Sequence, residues 1–387
     1  MAKELAFVLI NPYTIAKSRT GGVIARCMGR TDLDFVAARM FGPSSELVTQ
    51  FAELLRKGDE TREPWDLIAD YVLNAYGPDA QTGKPRRVML LLFEGEDAIK
   101  KIWSVTGSAT LRRGSGETIR DTYGDYIQDS QNKVVYFEPA VLVAPTKTLV
   151  ESTLKLWAKF SRKDGGIVRT ATDLPADANV EETLVMLKPD NFRFPSFRPG
   201  SIIDLLSSSG LRIIGVKKFH MTVAQAEQFY GPVKDSLREK FKDIGVRRAS
   251  DALSREFGFD APVDAVKELC AQLAPVFADS QFESIVKFMT GFKPSDCSGA
   301  EKKKRGSESC LALVYQGVDA VQKIRNIVGQ TDPRKAKPGS VRREFGSDIM
   351  VNAAHASDSP DNAKRELGII DVEEDSIGEV VEEYFSK

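Results

Sequence analysis

Histidine is scarce in this chain: two residues, His220 and His355, among 387. Chemistry that needs an imidazole has only those two places to happen, and residues 1–219 contain neither. Cysteine is scarce as well. Cys27, Cys270, Cys297 and Cys310 have no CxxC spacing, which argues against structural zinc and a disulfide framework and fits a reducing cytosol. An excess of charge is missing, because 54 Lys and Arg face 55 Asp and Glu, and bulk charge gives no support for binding nucleic acid or a membrane surface. No apolar run approaches the roughly 18 residues of a membrane-crossing helix. The first such run, LAFVLI, is stopped at Asn11-Pro12 and is too short for a signal segment. These absences predict a cytoplasmic protein without membrane or nucleic-acid partners. What is present is material for a core. With 42% apolar and 28% charged residues, global disorder is excluded, and the length predicts two or three domains at about 100–200 residues each.

An internal repeat organises the chain. A shift of 222 positions lays residues 89–127 on 311–349 without a gap. MLLLFEGEDAIKKIWSVTGSA falls on LALVYQGVDAVQKIRNIVGQT, pairing Gly95 with Gly317, Asp97 with Asp319 and Gly107 with Gly329. TIRDTYGDYI falls on SVRREFGSDI, pairing Arg120 with Arg342 and Gly124 with Gly346. A weaker match relates FVLINP (7–12) to VMLKP (185–189), each followed by an Arg-x-Gly segment that opens a helix, RTGG at 19–22 and RPGS at 198–201.

Each copy reads as three strands alternating with helices, an α/β (α+β) layer. LAFVLI, ETLVMLK, LRIIGVKKF (211–219) and CLALVYQG (310–317) have the short apolar character of buried strands. Thr222 and Gln225 have capping-box spacing and open a helix expected over AQAEQFYGPVKDSLREKF. The pattern predicts a first domain over 1–160, a linker over 161–180 (SRKDGGIVRTATDLPADANV) and a second domain over 181–387. An extra helical segment is expected at 242–280 in the second domain, and an insertion at 58–86 is expected to cap the first. The Lys-rich loop at 292–309 reads as solvated, and the acidic tail DVEEDSIGEVVEEYFSK reads as a terminal arm.

The second copy holds the residues with chemistry in them. Around His355 the chain runs DIMVNAAHASDSPDNAKRELGI. A strand-like run carries Asn352 and His355, after which Ser359 suits an N-cap, Pro360 the first helical position and Asp361 the positive end of a helix. An imidazole just ahead of a helix start sits in a field that suits a phosphoryl group. Glu366, about two turns into that helix, is placed to turn back and hold one ring nitrogen, leaving the other as nucleophile. A satisfied structural histidine fits the local pattern equally well. Lys188 ends the first strand of this copy in LKPD, Arg325 lies in the helix after the third strand, and Thr331, Arg334 and Arg342 lie in QTDPRKAKPGSVRREFG. Arginines and a lysine converging on a histidine would clamp a polyphosphate. His220, ending IIGVKKFH, reads as structural.

The second copy resembles the nucleoside diphosphate kinases. The pieces that carry the likeness are LVMLKPD (184–190), RPGSII (198–203), LRIIGVKKF leading to Tyr230, GQTDPRKAKPGSVRREFG (329–346) and NAAHASDSPDNAKRELG (352–368). The resemblance implies ferredoxin-like βαββαβ domains in tandem, with antiparallel sheets and helical insertions. It implies ping-pong transfer of the γ-phosphate from a nucleoside triphosphate such as ATP to a nucleoside diphosphate through phosphohistidine, with Mg²⁺ on the nucleotide. His355 would be the phosphorylated residue and Glu366 and Ser357 its orienting pair. Lys188, Tyr230, Arg325, Thr331, Arg342 and Asn352 match positions that hold phosphates and ribose. The sequence departs from the family pattern at Ala356, where glycine is usual, and at Pro232, where the family has an acid. The base-stacking position falls on Gln281 or Phe282, and the insertion 242–280 falls in the hairpin that lids the base.

The first copy keeps the scaffold and loses these residues. The counterparts of Lys188, Tyr230, Arg325 and Thr331 are Asn11, Ala52, Trp103 and Ala109, and only Arg120 remains. The histidine segment is YFEPAVLVAP, which has no imidazole and leaves Glu138 as the alternative nucleophile. This copy reads as catalytically silent. Because the family pairs such domains, the two copies are expected to form a pseudo-dimer within the chain, and homo-oligomers of the chain are the further assembly this reading allows. A non-catalytic nucleotide-binding or scaffold protein, and a protein histidine phosphotransferase using the same His355, are the other readings open to the sequence.

Overall fold

The computed structural model describes residues 3–58, 63–110, 114–171, 174 and 179–386, with Asp243 described in its backbone only. Parts of the expected linker (172–173 and 175–178) and of the 58–86 insertion (59–62) lie outside the described residues. The chain divides into two compact units, Met1–Phe219 with Cys310–Lys387, and His220–Ser309.

The first unit is built on strands β1 (Glu4–Ile10), β2 (Asp34–Phe41), β3 (Val88–Gly95), β4 (Asp125–Gln128), β5 (Val134–Glu138), β6 (Val141–Leu142), β7 (Val180–Leu187), β8 (Arg212–Phe219), β9 (Cys310–Val318) and β10 (Ala354–Ala356). Strands β4 and β5 form a separate hairpin, and the other eight share one sheet in the order β10-β7-β9-β8-β2-β3-β1-β6. Every pairing recorded in it is antiparallel. Within each half the order is fourth-first-third-second, so the fold is two ferredoxin-like βαββαβ modules. The near-continuous apolar runs of β1, β3, β7 and β9 are buried throughout their central residues, as strands covered on both faces must be.

The halves repeat each other in backbone detail. A bulge interrupts β2 between Phe35 and Ala37, and another interrupts β8 between Ile213 and Gly215. Asp97 (φ 51°) and Asp319 (φ 53°) are left-handed N-caps of the helices Ala98–Thr106 and Ala320–Val328, which stop at left-handed Gly107 and Gly329. The halves meet edge to edge, with Arg39 of β2 opposite Lys217 of β8. Beside that seam the helices Thr20–Gly29 and Arg198–Ser207 approach through glycine: a Cβ on Gly200 would lie 2.3 Å from the Gly21 carbonyl, and one on Gly21 would lie 2.4 Å from the Gly200 carbonyl. No larger residue fits at that separation.

Several sequence expectations need correction. The pattern suggested three strands per copy, but each half has a fourth, β6 or β10, of only two or three residues, too short to show periodicity. The linker expected from residue 161 starts inside the helix Lys147–Asp164, and residues 165–168 lie along the seam. Gly166 N–H donates to the Met40 carbonyl and Val168 N–H to the Ile214 carbonyl, both at 2.9 Å. A short extended bridge of this kind carries no hydrophobic period. The 58–86 insertion contributes the helix Trp65–Ala75, whose Trp65, Ile68 and Val72 enter the core.

The second unit is helical. Thr222 and Gln225 form the expected capping box. The helix they open ends at Tyr230, however, and a new one, Val233–Phe257, begins after Gly231-Pro232, because Pro232 has no N–H to continue the ladder. It pairs with Val263–Thr290 in a hairpin that starts before, and ends after, the expected 242–280. Among the described residues no helix is long and apolar enough to cross a membrane.

Candidate active site

His355 lies in β10, opposite Met186 of β7. Ahead of it, Ala353 takes a left-handed φ of 68°, which turns the chain so that the Lys188 N–H donates to the Ala353 carbonyl at 2.9 Å. After it, the Ser357 N–H returns to the Leu184 carbonyl. Ser359 then caps the helix Pro360–Ile370, accepting from Asn362 N–H at 3.2 Å. The expected Ser-Pro-Asp helix start is present.

That helix delivers Glu366 to the imidazole. Glu366 Oε2 stands 2.8 Å from His355 Nε2 and accepts from the Ser357 hydroxyl at 2.6 Å. The carboxylate is 6% exposed and the imidazole 21%. The ring is therefore held by a buried acid while keeping an approach from solvent, with Nδ1 the nitrogen opposite the held one. At the helix start, the Asn362 amide holds Asp358 below the usual carboxylate range, and the Arg325 guanidinium acts in the same direction.

Lys188 enters from the end of β7. Its ammonium is buried and donates to Asn352 Oδ1 at 2.7 Å and to the Met350 carbonyl at 3.1 Å. Burial, with the Arg342 guanidinium beside it, pushes Lys188 down to about 8. Asn352 in turn donates to the carbonyls of Thr331 (3.1 Å) and Ile349 (2.8 Å). Arg342 donates through Nε and Nη2 to the Ala354 carbonyl and through Nη1 to the Gly329 carbonyl. One bonded network thus links Lys188, Asn352 and the Thr331 backbone, and joins Arg342 to the strand that bears His355. Arg325 and Thr331 are exposed beside it.

Tyr230 ends the helix Val223–Tyr230 of the other unit, and both base-stacking candidates lie within its helix Val263–Thr290: Phe282 is buried there with the Lys234 ammonium 4.3 Å from its ring, and Gln281 is half-exposed. Arg334 is turned outward onto Asp332, at 2.9 Å. The sequence reading missed Asn191 and Arg198. Asn191 is buried and donates to the carbonyls of Lys188 and Ala353, while Arg198 holds Asn191 Oδ1 and Asp190. These two brace the loop under the lysine. Their signals were a polar run, KPDN, directly after the apolar end of β7, and the repeated Arg-x-Gly segment that begins with Arg198.

The first half has the same backbone with other side chains. Leu142, not Glu138, occupies the position of His355: Leu142 pairs with Leu9 of β1 as His355 pairs with Met186 of β7. Glu138 is buried and accepts from Asn11 Nδ2 (3.0 Å), the Tyr71 hydroxyl (2.6 Å) and the Ala140 N–H (3.0 Å). Arg120 repeats the Arg342 contacts to Gly107 and Val141 carbonyls but adds a buried ion pair with Glu63 at 2.5 Å.

Fold and cluster together define an antiparallel α/β protein with a histidine-centred site flanked by a buried lysine and a half-buried arginine. A family profile described as nucleoside diphosphate kinase matches residues 181–246 and 300–375. The nucleoside diphosphate kinase of Wolinella succinogenes is 30% identical over 188 residues, which cover 49% of this chain and 93% of that protein. That of Bdellovibrio bacteriovorus is 29% identical over 191 residues, with 49% and 92% covered. The crystallised nucleoside diphosphate kinase of Aquifex aeolicus is 28% identical, with 49% and 94% covered and a TM-score of 0.31. The chain belongs to the nucleoside diphosphate kinase family.

Proposed function

We propose that the protein is a nucleoside diphosphate kinase acting through His355. The observation that carries this reading is the 2.8 Å contact of Glu366 with His355 Nε2, braced by Ser357. A buried carboxylate on one ring nitrogen fixes the ring and stabilises the cation that forms when the other is phosphorylated. In the first half-reaction Nδ1 attacks the γ-phosphorus of ATP. The bond from that phosphorus to the β,γ-bridging oxygen breaks, and the oxygen leaves with the electron pair as ADP. In the second, the terminal phosphate oxygen of a nucleoside diphosphate attacks the phosphohistidine and releases the imidazole.

Lys188, Arg342 and Arg325 supply positive charge to the equatorial oxygens, the main requirement of a loose phosphoryl-transfer transition state. Asn352 holds Lys188 in place, and Thr331 and Tyr230 are assigned to the sugar–phosphate portion. Among the described residues no three His, Cys, Asp or Glu side chains cluster as a metal cage. In this reading Mg²⁺ arrives on the nucleotide, where it neutralises phosphate charge.

The first half is read as a silent copy, since Leu142 and Asn11 stand where His355 and Lys188 would be needed. It completes an intrachain pseudo-dimer with the second half, joined through β2 and β8. A labelling experiment tests the function. Protein mixed with γ-labelled ATP and freed of nucleotide should carry acid-labile, alkali-stable label, and added GDP should remove it as GTP. Absence of label on the wild type, or undiminished label on His355→Ala, would refute the assignment.

A further inference from the structure

The helix that carries Glu366 is held at its far end by Lys217 of its own half, and the segment that follows it is tied down by Arg39 and Ser161 of the other half. It stops at Asp371, a non-glycine residue with φ 50°, leaving its last carbonyls to be satisfied from outside. Lys217, opposite Arg39 across the seam, donates to the Ile370 carbonyl (3.3 Å), the Asp371 carbonyl (2.7 Å) and Glu374 Oε2 (2.6 Å). Arg39, from β2 of the silent half, donates through Nη2 to the Glu373 carbonyl (2.8 Å) and through Nη1 to the Glu374 carbonyl (2.5 Å). Its Nε donates to the Ser161 carbonyl (3.2 Å), and the Ser161 hydroxyl donates to Asp375 Oδ1 (2.6 Å).

Two features separate this arrangement from an ordinary surface tether. Arg39 is 2% exposed and Lys217 4%. Burying two like charges opposite each other is costly, and here the Asp and Glu residues of 371–375 surround them. Burial pulls the Arg39 guanidinium below its usual value, opposed by Asp375, Glu373, Asp371 and Glu374. In addition, Arg39 spends its donors on backbone carbonyls, which fixes the path of the chain. Beyond the strap, the helix Ser376–Phe385 packs Ile377 and Val381 into the shared core.

We propose that Arg39 is a positioning residue for His355: with Ser161 and Lys217 it anchors residues 371–375, and so sets the position from which the helix Pro360–Ile370 holds Glu366 against the imidazole. The helix is a rigid connector, with Glu366 one turn before Ile370, and a displacement of about 1 Å in a catalytic arrangement can cost about 100-fold in rate. The silent half would thereby act as a fixture for the active one. The inference rests on the reading of His355 as the phosphoryl acceptor.

The test uses full-length wild type, Arg39→Gln, Arg39→Lys and Ser161→Ala. Because the chain has two histidines, ¹⁵N-histidine labelling yields two imidazole patterns, with His220 as the internal reference. Arg39→Gln should shift the His355 ring-nitrogen signals and leave those of His220 in place. It should also lower the maximal rate of phosphoenzyme formation about tenfold or more, with half-saturation by ATP within about twofold. Arg39→Lys should recover part of both effects, and Ser161→Ala should move both in the same direction by less. Wild-type His355 signals and maximal rate in folded Arg39→Gln would overturn the proposal. If that variant does not fold, wild-type behaviour of Ser161→Ala would do the same. A wild type that takes no label would refute the function while leaving the His355 signals to decide the positioning.

Discussion

Asn11 and Lys188 stand at the same point of the two halves. Each follows the first strand of its half, and each donates its backbone N–H to the carbonyl of a left-handed alanine, Ala140 at 3.1 Å and Ala353 at 2.9 Å. The side chains then part company. The Lys188 ammonium reaches Asn352, whereas the Asn11 amide is closed between Glu138 and the Tyr76 hydroxyl. The same backbone thus holds a cation in one half and a neutral amide against a carboxylate in the other, and only the first suits a phosphate.

Removing the carboxylate behind the imidazole should slow the chemistry more than binding. Glu366→Gln is expected to lower the rate of phosphoenzyme formation by about 10- to 100-fold. Ser357→Ala, which loses one hydrogen bond to that carboxylate, should cost less than about tenfold. Rapid-quench labelling measures both, and an unchanged rate in Glu366→Gln would remove it from its assigned role.

In the proposed function, Lys188 should make nucleotide binding depend on pH. With its value near 8 in the free protein, the ammonium is present below that pH and lost above it, and phosphate binds the charged form. ATP affinity should therefore fall as pH rises through about 8, by at most about tenfold per unit. In Lys188→Arg, whose charge persists, that limb should vanish. Calorimetric titration between pH 7 and 9 decides it, and a flat wild-type profile would show that Lys188 does not meet the phosphates.

The Glu63–Arg120 ion pair is a structural element of the first half. Both side chains are at most 2% exposed, so Glu63→Ala leaves a buried guanidinium without its partner. The expected loss is about 3–5 kcal/mol of stability, read from urea denaturation, with His355 labelling unchanged in the protein that remains folded. A loss within error of zero would mean that the carbonyls of Gly107 and Val141 suffice for Arg120.

The glycine crossing should tolerate no side chain. Gly200→Ala places a Cβ 2.3 Å from the Gly21 carbonyl and 2.4 Å from the Ala25 nitrogen, so the helices must separate. The expected cost is about 1–3 kcal/mol or more, seen as a lower Tm. An unchanged Tm would show that the seam can open at that point without penalty.

Much of this protein was legible in its sequence because the signals were local. Four long strands announced themselves as apolar runs, the repeat exposed its two halves, and Ser359, Pro360 and Asp361 marked the helix start after His355. The spacing from Ser359 to Glu366 sufficed to bring the carboxylate back to the ring, since a helix fixes that geometry along one short segment. The break at Gly231-Pro232 was also readable and was passed over, because the polar–apolar pattern continues across it.

What the tertiary structure alone decided depends on partners far apart in the chain. The two-residue strand β6 exists only because β1 offers it an edge, and it places Leu142 where His355 stands in the other half. The contacts of Arg39 with the carbonyls of Glu373 and Glu374 span more than 300 positions, and no periodicity or motif encodes a bond to a backbone carbonyl. Residue identity determined which half holds an imidazole. Only the closing of one sheet across β2 and β8 determined that the half without one would grip the segment that follows the helix behind it.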